Sequence, residues 1–165
     1  ALGLAAQDTV GNLFGAVAVF MDKPFKIGDR VRIGEVDGTV EEMGIRSTRV
    51  RSLEGFLITV PNKNVGNATI INIAARPTIR ANLAIGVTYN TPTAKVKRAT
   101  QLLEEIFRGH PKTADVIVHF NRFADSSLNL DVLYWCKTTD WKEFCATIQE
   151  LNLTIKERFD AEGIE

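Results

Sequence analysis

The residues that could perform chemistry are few and scattered along the chain. His110 and His119 are the only histidines, and their spacing does not match a metal-binding pair such as His-x-x-x-His. Cys136 and Cys145 fit neither a zinc site nor a CxxC redox motif, so both are expected to be free thiols, with Cys145 in a helical core stripe. The hydroxyls of the Asp125–Ser127 segment have no evident base partner, and no glycine-rich phosphate loop occurs. The sequence therefore predicts no enzyme, no metal site and no cofactor.

The composition is that of a folded chain with balanced charges. Of its 165 residues, 45% are hydrophobic and 24% are charged, which is typical of a globular protein and not of a disordered one. Lysine plus arginine and aspartate plus glutamate number 20 each, so the formal net charge is +0. Nucleic-acid-binding domains usually carry a basic excess, and this balance argues against that class.

The first 21 residues show the pattern of a long apolar helix. Ala1–Met21 is rich in small and apolar residues, but it falls short of the ~18 uninterrupted apolar residues expected of a lone membrane span. The interrupting polar residues are Gln7, Asp8, Thr9 and Asn12. The Gly11-x-x-x-Gly15 spacing lets helix backbones approach closely. Two interpretations fit: a span that faces other copies and a water-filled lumen, or an amphipathic helix packed on a soluble core.

A switch to a period of two follows this helix. Pro24 and Gly28 end the helical pattern, and short alternating segments separated by turn residues come next, with a turn expected at Val36–Gly38. The predicted strands are Arg30–Ile33, Gly38–Glu42, Ile45–Arg51, Phe56–Val60 and Ala68–Ala74. Several short strands at turn-marked intervals indicate a small SH3- or Sm-like barrel.

A second, mixed domain is predicted after the Arg76-Pro77 boundary. Two amphipathic helical stripes alternate with strand patterns, and Asp140 with Glu143 has the spacing of a helix N-cap pair. The predicted elements are a strand at Arg80–Tyr89, a helix at Pro92–Arg108, strands at Asp115–Phe123 and Ser127–Cys136, and a helix at Trp141–Asp160. This order is that of a ferredoxin-like split βαβ unit that lacks its last strand.

An ordered series of motifs between Asp22 and Asn62 resembles the small-conductance mechanosensitive ion channel (MscS-like) family. The family carries a Pro-Phe-basic-x-Gly-Asp turn, which matches Pro24–Asp29, a Gly-Thr-Val strand, which matches Gly38–Val40, and a Val-Pro-Asn strand end, which matches Val60–Asn62. With the flanking segments, the resemblance covers nearly the whole chain. It implies an α+β protein with an N-terminal membrane or pore helix (residues 1–21), an Sm-like β-barrel domain (22–75) and a ferredoxin-like α/β domain (76–165).

In this family the first segment is the pore-lining third transmembrane helix, which is kinked midway. Leu4 falls on a pore-sealing leucine position, and Gln7 matches the residue before the kink. Asp8 stands where the best-studied branch has its kink glycine, and its side chain could cap a second helical segment that begins after it. The resemblance thus implies that Leu4, Gln7, Asp8, Gly11 and Gly15 line or gate a pore, with the two glycines packed against neighbouring helices.

The turn after the helix is expected to couple it to the β domain at the membrane–water boundary. It consists of Lys23, Pro24, Phe25 and Lys26, and family members carry basic residues at both lysine positions. The two lysines are then expected to contact anionic lipid headgroups or an acidic loop of upstream helices. Ordinary solvated lysines are the alternative interpretation.

The resemblance also implies an assembly and a location. The expected protein is a homo-heptamer in the cell (inner) membrane that passes ions and small osmolytes under osmotic stress, contacts membrane lipids and binds no nucleic acid. Residues from about 22 onward would lie on the cytoplasmic side. Because the chain starts at Ala1 and enters an apolar helix directly, we expect a piece of a longer protein that lacks the family's C-terminal barrel.

Two other functions remain open from the sequence. The first is a soluble Sm-like module that binds RNA or protein, for which Arg46, Arg49 and Arg51 could supply a basic stripe. Nearby glutamates oppose that stripe and stacking aromatic residues are scarce, which favours a solvated or intersubunit ionic role for the arginines. The second is a small ferredoxin-like hydrolase of acyl phosphates, although no anion cradle is visible.

Overall fold

The chain folds into two compact units, Ala1–Arg76 and Pro77–Glu165, in a computed structural model that describes residues 2–165. The first unit contains a long helix, a five-stranded sheet and a short helix, and the second contains a three-stranded sheet with two helices. The α+β class predicted from the sequence is confirmed.

The N-terminal helix α1 runs without interruption from Leu2 to Asp22. Its 21 residues make it about 30 Å long, so it is long and apolar enough to cross a bilayer. The expected break at Asp8 is absent, because the backbone remains helical there and the Thr9 hydroxyl donates to the Ala5 carbonyl at 3.2 Å. Asp8 therefore does not cap a second segment in this chain.

Five antiparallel strands form the sheet of the first unit. They are β1 (Arg30–Ile33), β2 (Val36–Met43), β3 (Ser47–Ser52), β4 (Leu57–Pro61) and β5 (Ile70–Asn72), in the spatial order β4-β3-β2-β1-β5. The prediction of a turn at Val36–Gly38 is wrong, because the turn lies two residues earlier, at Gly34-Glu35, where Ile33 pairs directly with Val36. Gly34 has a φ of 59°, a left-handed conformation that glycine adopts at little cost.

Alternate residues of these strands build the core of the first unit. Its buried side chains are Val19, Phe25, Val31, Ile33, Val40, Val50, Val60 and Val65. Val65 lies on a short helix, α2 (Asn62–Asn67), which follows β4 directly and was not predicted from the sequence. Residues from α1, from the turn after it and from α2 thus share one core with the sheet.

The second unit has the order expected of a ferredoxin-like fold with three strands. Its elements are β6 (Ile79–Val87), α3 (Thr93–Gly109), β7 (Thr113–Phe123), β8 (Leu128–Cys136) and α4 (Trp141–Ala161). The strands are antiparallel in the order β6-β8-β7, so β8 is central and β6 and β7 are edges. Each predicted element of this unit is present, with its ends shifted by at most two residues.

The buried face of α4 is narrower than the sequence pattern suggested. Phe144, Thr147, Leu151, Ile155 and Phe159 are its buried residues. Cys145 is exposed, which makes its assignment to the core wrong, and Trp141 is 59% exposed. Cys145 follows Phe144 by one residue, a rotation of about 100° that carries it off the buried face.

The start of α4 provides a first test of the second unit. The Asp140 carboxylate accepts from the Glu143 amide at 2.8 Å, which confirms the predicted N-cap. Asp140→Ala should lower the free energy of unfolding of this unit by about 0.5–2 kcal/mol, because that amide would lose its acceptor. Urea unfolding of Asp125→Ala, which removes an exposed carboxylate that makes no ion pair within residues 2–165, is the control. Equal losses in the two variants would contradict the role of the cap.

Candidate functional site

The five residues predicted to line or gate a pore lie on one side of α1. At about 100° per residue, Leu4, Gln7, Asp8, Gly11 and Gly15 fall within a sector of about 100°. The sector differs along its length, because residues 2–10 are all exposed whereas Gly15 is buried. Leu4 is 72% exposed and leaves an apolar side chain free at this end of the helix.

The middle of α1 is attached to α2 by two polar contacts. The Lys63 ammonium lies 3.2 Å from the Asp8 carboxylate, and the Lys63 backbone amide donates to the Asn12 side-chain carbonyl at 3.0 Å. The second contact matters for α2, because the first amides of a helix have no acceptor within the helix and Pro61, its N-cap residue, offers no side-chain oxygen. Asn12 supplies that acceptor from the neighbouring helix.

Gly11 and Gly15 of α1 also face α2. A Cβ built on Gly15 would lie 2.2 Å from the Asn62 carbonyl oxygen. A Cβ built on Gly66 would lie 3.3 Å from the Cα of Gly15. A Cβ on Gly11 would meet the flexible Lys63 side chain at 3.3 Å. The close approach predicted from the Gly11-x-x-x-Gly15 spacing is therefore made within the chain, by α2. Packing of these glycines against helices of other copies remains a prediction.

The turn that follows α1 is anchored by one aromatic side chain. Phe25 is 3% exposed and belongs to the core of the first unit, whereas Lys23 and Lys26 project into solvent. Lys23 has a φ of 46°, and its amide donates to the Val19 carbonyl at 2.9 Å, so it closes the last turn of the helix in a left-handed conformation. Pro24 follows and cannot continue the helix.

Asn72, at the end of β5, holds this turn in place and was missed by sequence reasoning. Its side-chain amide donates to the Pro24 carbonyl at 3.0 Å and to the Asp29 carboxylate at 3.1 Å. The Asp29 carboxylate also accepts from the Lys26 amide at 3.0 Å. A polar residue in a short strand carries no sequence signal for such a role, because its partners lie more than 40 residues away.

Asn62, the first residue of α2, belongs to a motif found in the sequence, but its structural role was not predicted. It is 2% exposed, and its side chain accepts from the Thr48 hydroxyl at 3.0 Å. Its amide donates to the carbonyls of Gly44 and Ile45 at 2.8 and 2.9 Å. These bonds fix the start of α2, whose Asn62 carbonyl meets Gly15, so the position of α1 depends on a fully bonded buried asparagine.

Two of the three arginines considered for a basic stripe, Arg49 and Arg51, form ion pairs with glutamates of the neighbouring strand. Arg51 binds Glu41 at 2.8 Å, and Arg49 lies 3.3 Å from Glu42. The hydrogen bond from Arg51 holds the pKa of Glu41 below its usual value. Arg46 makes no ion pair in the described part of the chain. The stripe is therefore largely neutralised within the chain.

The residues considered for chemistry do not converge. The His110 ring accepts from the Lys112 amide at 3.2 Å, while His119 is exposed on β7. Cys136 is buried on β8, and the Ser127 hydroxyl donates to the Asn129 side chain at 3.0 Å. Residues 2–165 contain no group of three or more His, Cys, Asp or Glu side chains that could hold a metal ion.

A bilayer-length helix carried on an Sm-like sheet, in a chain that also contains a ferredoxin-like unit, is the arrangement found in mechanosensitive channel subunits. The family model of the mechanosensitive ion channel beta-domain matches residues 8–75. That of the C-terminal part of the mechanosensitive ion channel MscS matches residues 81–165. The chain belongs to the MscS family of mechanosensitive ion channels.

Named relatives and solved structures agree with this assignment. The chain is 43% identical over its full length to the small-conductance mechanosensitive channel MscMJ of Methanocaldococcus jannaschii and covers 47% of that protein. It is 32% identical, again over its full length, to the low-conductance mechanosensitive channel YnaI of Escherichia coli and covers 49% of it. The chain thus spans about half the length of these relatives.

Among solved structures, the closed-state crystal structure of Helicobacter pylori MscS matches 99% of the chain, with 28% identity and a TM-score of 0.79, and the chain covers 64% of it. The cryo-EM structure of Arabidopsis thaliana MSL1 matches 99% of the chain with a TM-score of 0.87, and 60% of that structure is covered. At 22% identity, MSL1 supports the fold alone. These comparisons give no support to a soluble Sm-like RNA- or protein-binding module, and the family is one of ion channels and not of enzymes.

Proposed function

We propose that this chain is the pore-helix and cytoplasmic part of one subunit of a membrane-tension-gated ion channel that releases ions and small osmolytes on hypo-osmotic stress. The observation that carries this proposal is the contact between α1 and α2. It fixes the middle of a bilayer-length helix, from Asp8 to Gly15, to the β unit, while residues 2–7 before it are exposed.

Gating follows from the work that tension does on an expanding protein. An open state that occupies more membrane area than the closed state is favoured in proportion to tension, which shifts the population between the two states. Because α1 is fixed to the β unit from Asp8 onward, this part of the helix moves together with that unit. The free residues 2–7 are then the part that can rearrange on its own.

The residues that line the pore are those of the exposed first part of α1, before Asp8. Leu4 closes the pore by excluding water from an apolar constriction, and Gln7 lines it below. Asp8, Gly11 and Gly15 lie on the same side of the helix, but their contacts with α2 make them the residues that attach the pore helix to the β unit.

The turn after α1 lies at the membrane–water boundary. Because α2 packs against α1 from Asp8 to Gly15, that part of the helix lies along the boundary, and only the residues before it enter the bilayer. Lys23 and Lys26 are exposed and suited to anionic lipid headgroups, while Phe25 is anchored in the core of the β unit. Residues from about 22 onward then lie on the cytoplasmic side of the inner membrane.

The edges of the first sheet suit a ring of identical subunits. In the described residues, β4 and β5 each have one side without a neighbouring strand, and they lie at opposite ends of the sheet. Pairing of β4 in one copy with β5 in the next would satisfy both edges and repeat around a ring. Seven copies, as the family resemblance implies, would place seven α1 helices around a common pore.

Leu4→Ser should lower the tension threshold of the full-length protein and raise its closed-state leak. A hydroxyl at the constriction favours water in the pore and weakens closure by dewetting. The change is measured by pressure-ramp patch recording in a membrane that lacks other mechanosensitive channels. We expect stepwise conductance that rises with suction, and a threshold in the variant below that of the wild type.

Leu13→Ser is the matched control, because Leu13 lies nine residues further along α1 and therefore about 180° around it. It makes the same polar substitution on the opposite side of the helix. The pore assignment is wrong if Leu4→Ser and Leu13→Ser behave alike. The channel function itself is refuted if the inserted, oligomeric wild-type protein stays silent under suction.

A further inference from the structure

The side chain of Asn72 joins three stretches of the chain. Its amide group donates to the Pro24 carbonyl at 3.0 Å and to the Asp29 carboxylate at 3.1 Å. Its carbonyl oxygen accepts from the Ala75 amide at 3.1 Å. Both amide protons and the oxygen are therefore in use, and the half-buried side chain is held in one orientation.

The bonded stretches are those by which the β unit connects to the rest of the protein. Pro24 belongs to the turn after α1, and Asp29, whose carboxylate also binds the Lys26 amide, precedes β1. Ala75 lies in the segment 73–76, through which the chain leaves the first unit. The two ends of the unit, entry from the helix and exit toward the second unit, thus meet at one side chain.

The exit segment has a further link to the same end of β1. The Arg30 carbonyl accepts from the amides of Ile73 and Ala74 at 2.9 and 3.2 Å. A displacement of Asp29 would therefore act on the segment by two routes, through the Asn72 side chain and through the adjacent backbone. Of the two, only the Asn72 side chain also reaches the turn at Pro24.

We propose that Asn72 is a positioning residue that couples the end of α1 to the segment 73–76, so that a movement of the helix end is transmitted toward the second unit. This inference rests on the proposed channel function for its physiological consequence. The coupling itself is a property of the fold and can be measured without channel activity.

Hydrogen exchange of the Ala75 amide in the full-length protein tests the coupling directly. Asn72→Asp removes both donated hydrogen bonds and places a carboxylate against Asp29, while it keeps an acceptor for Ala75. If the turn holds the Asn72 side chain, its release should weaken the protection of the Ala75 amide. We expect this amide to exchange about five- to tenfold faster, a change comparable in size to one ordinary hydrogen bond. An unchanged exchange rate would overturn the proposal.

The double variant Asp29→Asn/Asn72→Asp separates this coupling from a general loss of stability. The introduced amide at position 29 can donate to the introduced carboxylate at position 72. The hydrogen bond between the two positions is then restored, with donor and acceptor exchanged and the negative charge at position 72. We expect Ala75 exchange to return to within about twofold of the wild-type rate. Failure to recover would overturn the relay through Asp29.

Patch recording of the same variants tests the consequence for gating. Asn72→Asp should lower the tension threshold, because the end of α1 can then move without moving the segment 73–76. The double variant should shift the threshold back toward that of the wild type. Asn67→Asp is the control, since Asn67 is exposed and its side chain makes no hydrogen bond within residues 2–165. A wild-type threshold in Asn72→Asp, despite faster Ala75 exchange, would overturn the role in gating. Silence of every variant, the wild type included, would refute the channel function and leave the exchange result to decide the coupling.

Discussion

Gly15→Ala is expected to destabilise the first unit, although alanine is the better helix former. The added Cβ would lie 2.2 Å from the Asn62 carbonyl oxygen, and backbone at that position cannot yield without moving α2 away from α1. Overpacking of this kind costs about 1–3 kcal/mol, more than the roughly 1 kcal/mol gained by replacing a helical glycine. The midpoint of thermal unfolding of the full-length protein in detergent should fall by several degrees.

Two other glycines of the same helix provide a graded control. Gly3 has nothing within 4 Å of its Cβ position, so Gly3→Ala should be neutral or stabilising. Gly11 meets only the flexible side chain of Lys63, and Gly11→Ala should be tolerated. If all three substitutions shift the midpoint equally, the contact between Gly15 and α2 is not what holds the helix.

Phe25→Ala is expected to have the largest effect of any single truncation in the turn after α1. Phe25 is 3% exposed and packs in the core with Val19, Val31 and Val65. Loss of a buried phenylalanine ring costs about 3–5 kcal/mol, because the transfer free energy of the ring and the cavity left behind both count. In the full-length protein we expect a lower unfolding midpoint and a pore helix whose end is no longer fixed to the sheet.

Phe56→Ala is the matched control in the same unit, since Phe56 is 69% exposed beside the turn between β3 and β4. It should leave the midpoint nearly unchanged. Pressure-ramp recording would then show a shifted tension threshold for Phe25→Ala alone. Comparable losses of stability in both variants would contradict the anchoring role of Phe25.

The fold class could be read from the sequence because its periodicities are strong. The stripe on α3 and the period of two in the β strands depend only on local spacing, and each predicted element of the second unit was found. The short helix α2 could not be predicted, because Asn62–Asn67 contains one apolar side chain, Val65, and no repeat. Its position is set by Asn12 and Gly15 of α1, and the Asn12 contact joins residues 51 positions apart.

The candidate site was predictable only in part, because most of its contacts join residues that are distant in the sequence. A Gly-x-x-x-Gly spacing indicates that some backbone approaches the helix, but it does not identify which one, and here the partner is α2. The resemblance implied a helix break at Asp8, which an N-cap by its side chain could have supported, whereas that side chain forms an ion pair with Lys63. Asn62 and Asn72 act through partners that only the folded chain brings together.

The close fit between Gly15 and the Asn62 carbonyl limits how relatives of this protein can exchange segments. In a chimera that joins a foreign pore helix to this β unit after residue 15, the donor's side chain at position 15 would lie against the Asn62 carbonyl. A junction placed before Asp8 avoids this, because residues 2–7 of α1 are exposed. The helix from residue 8 onward and α2 should therefore be transplanted together as a single cassette.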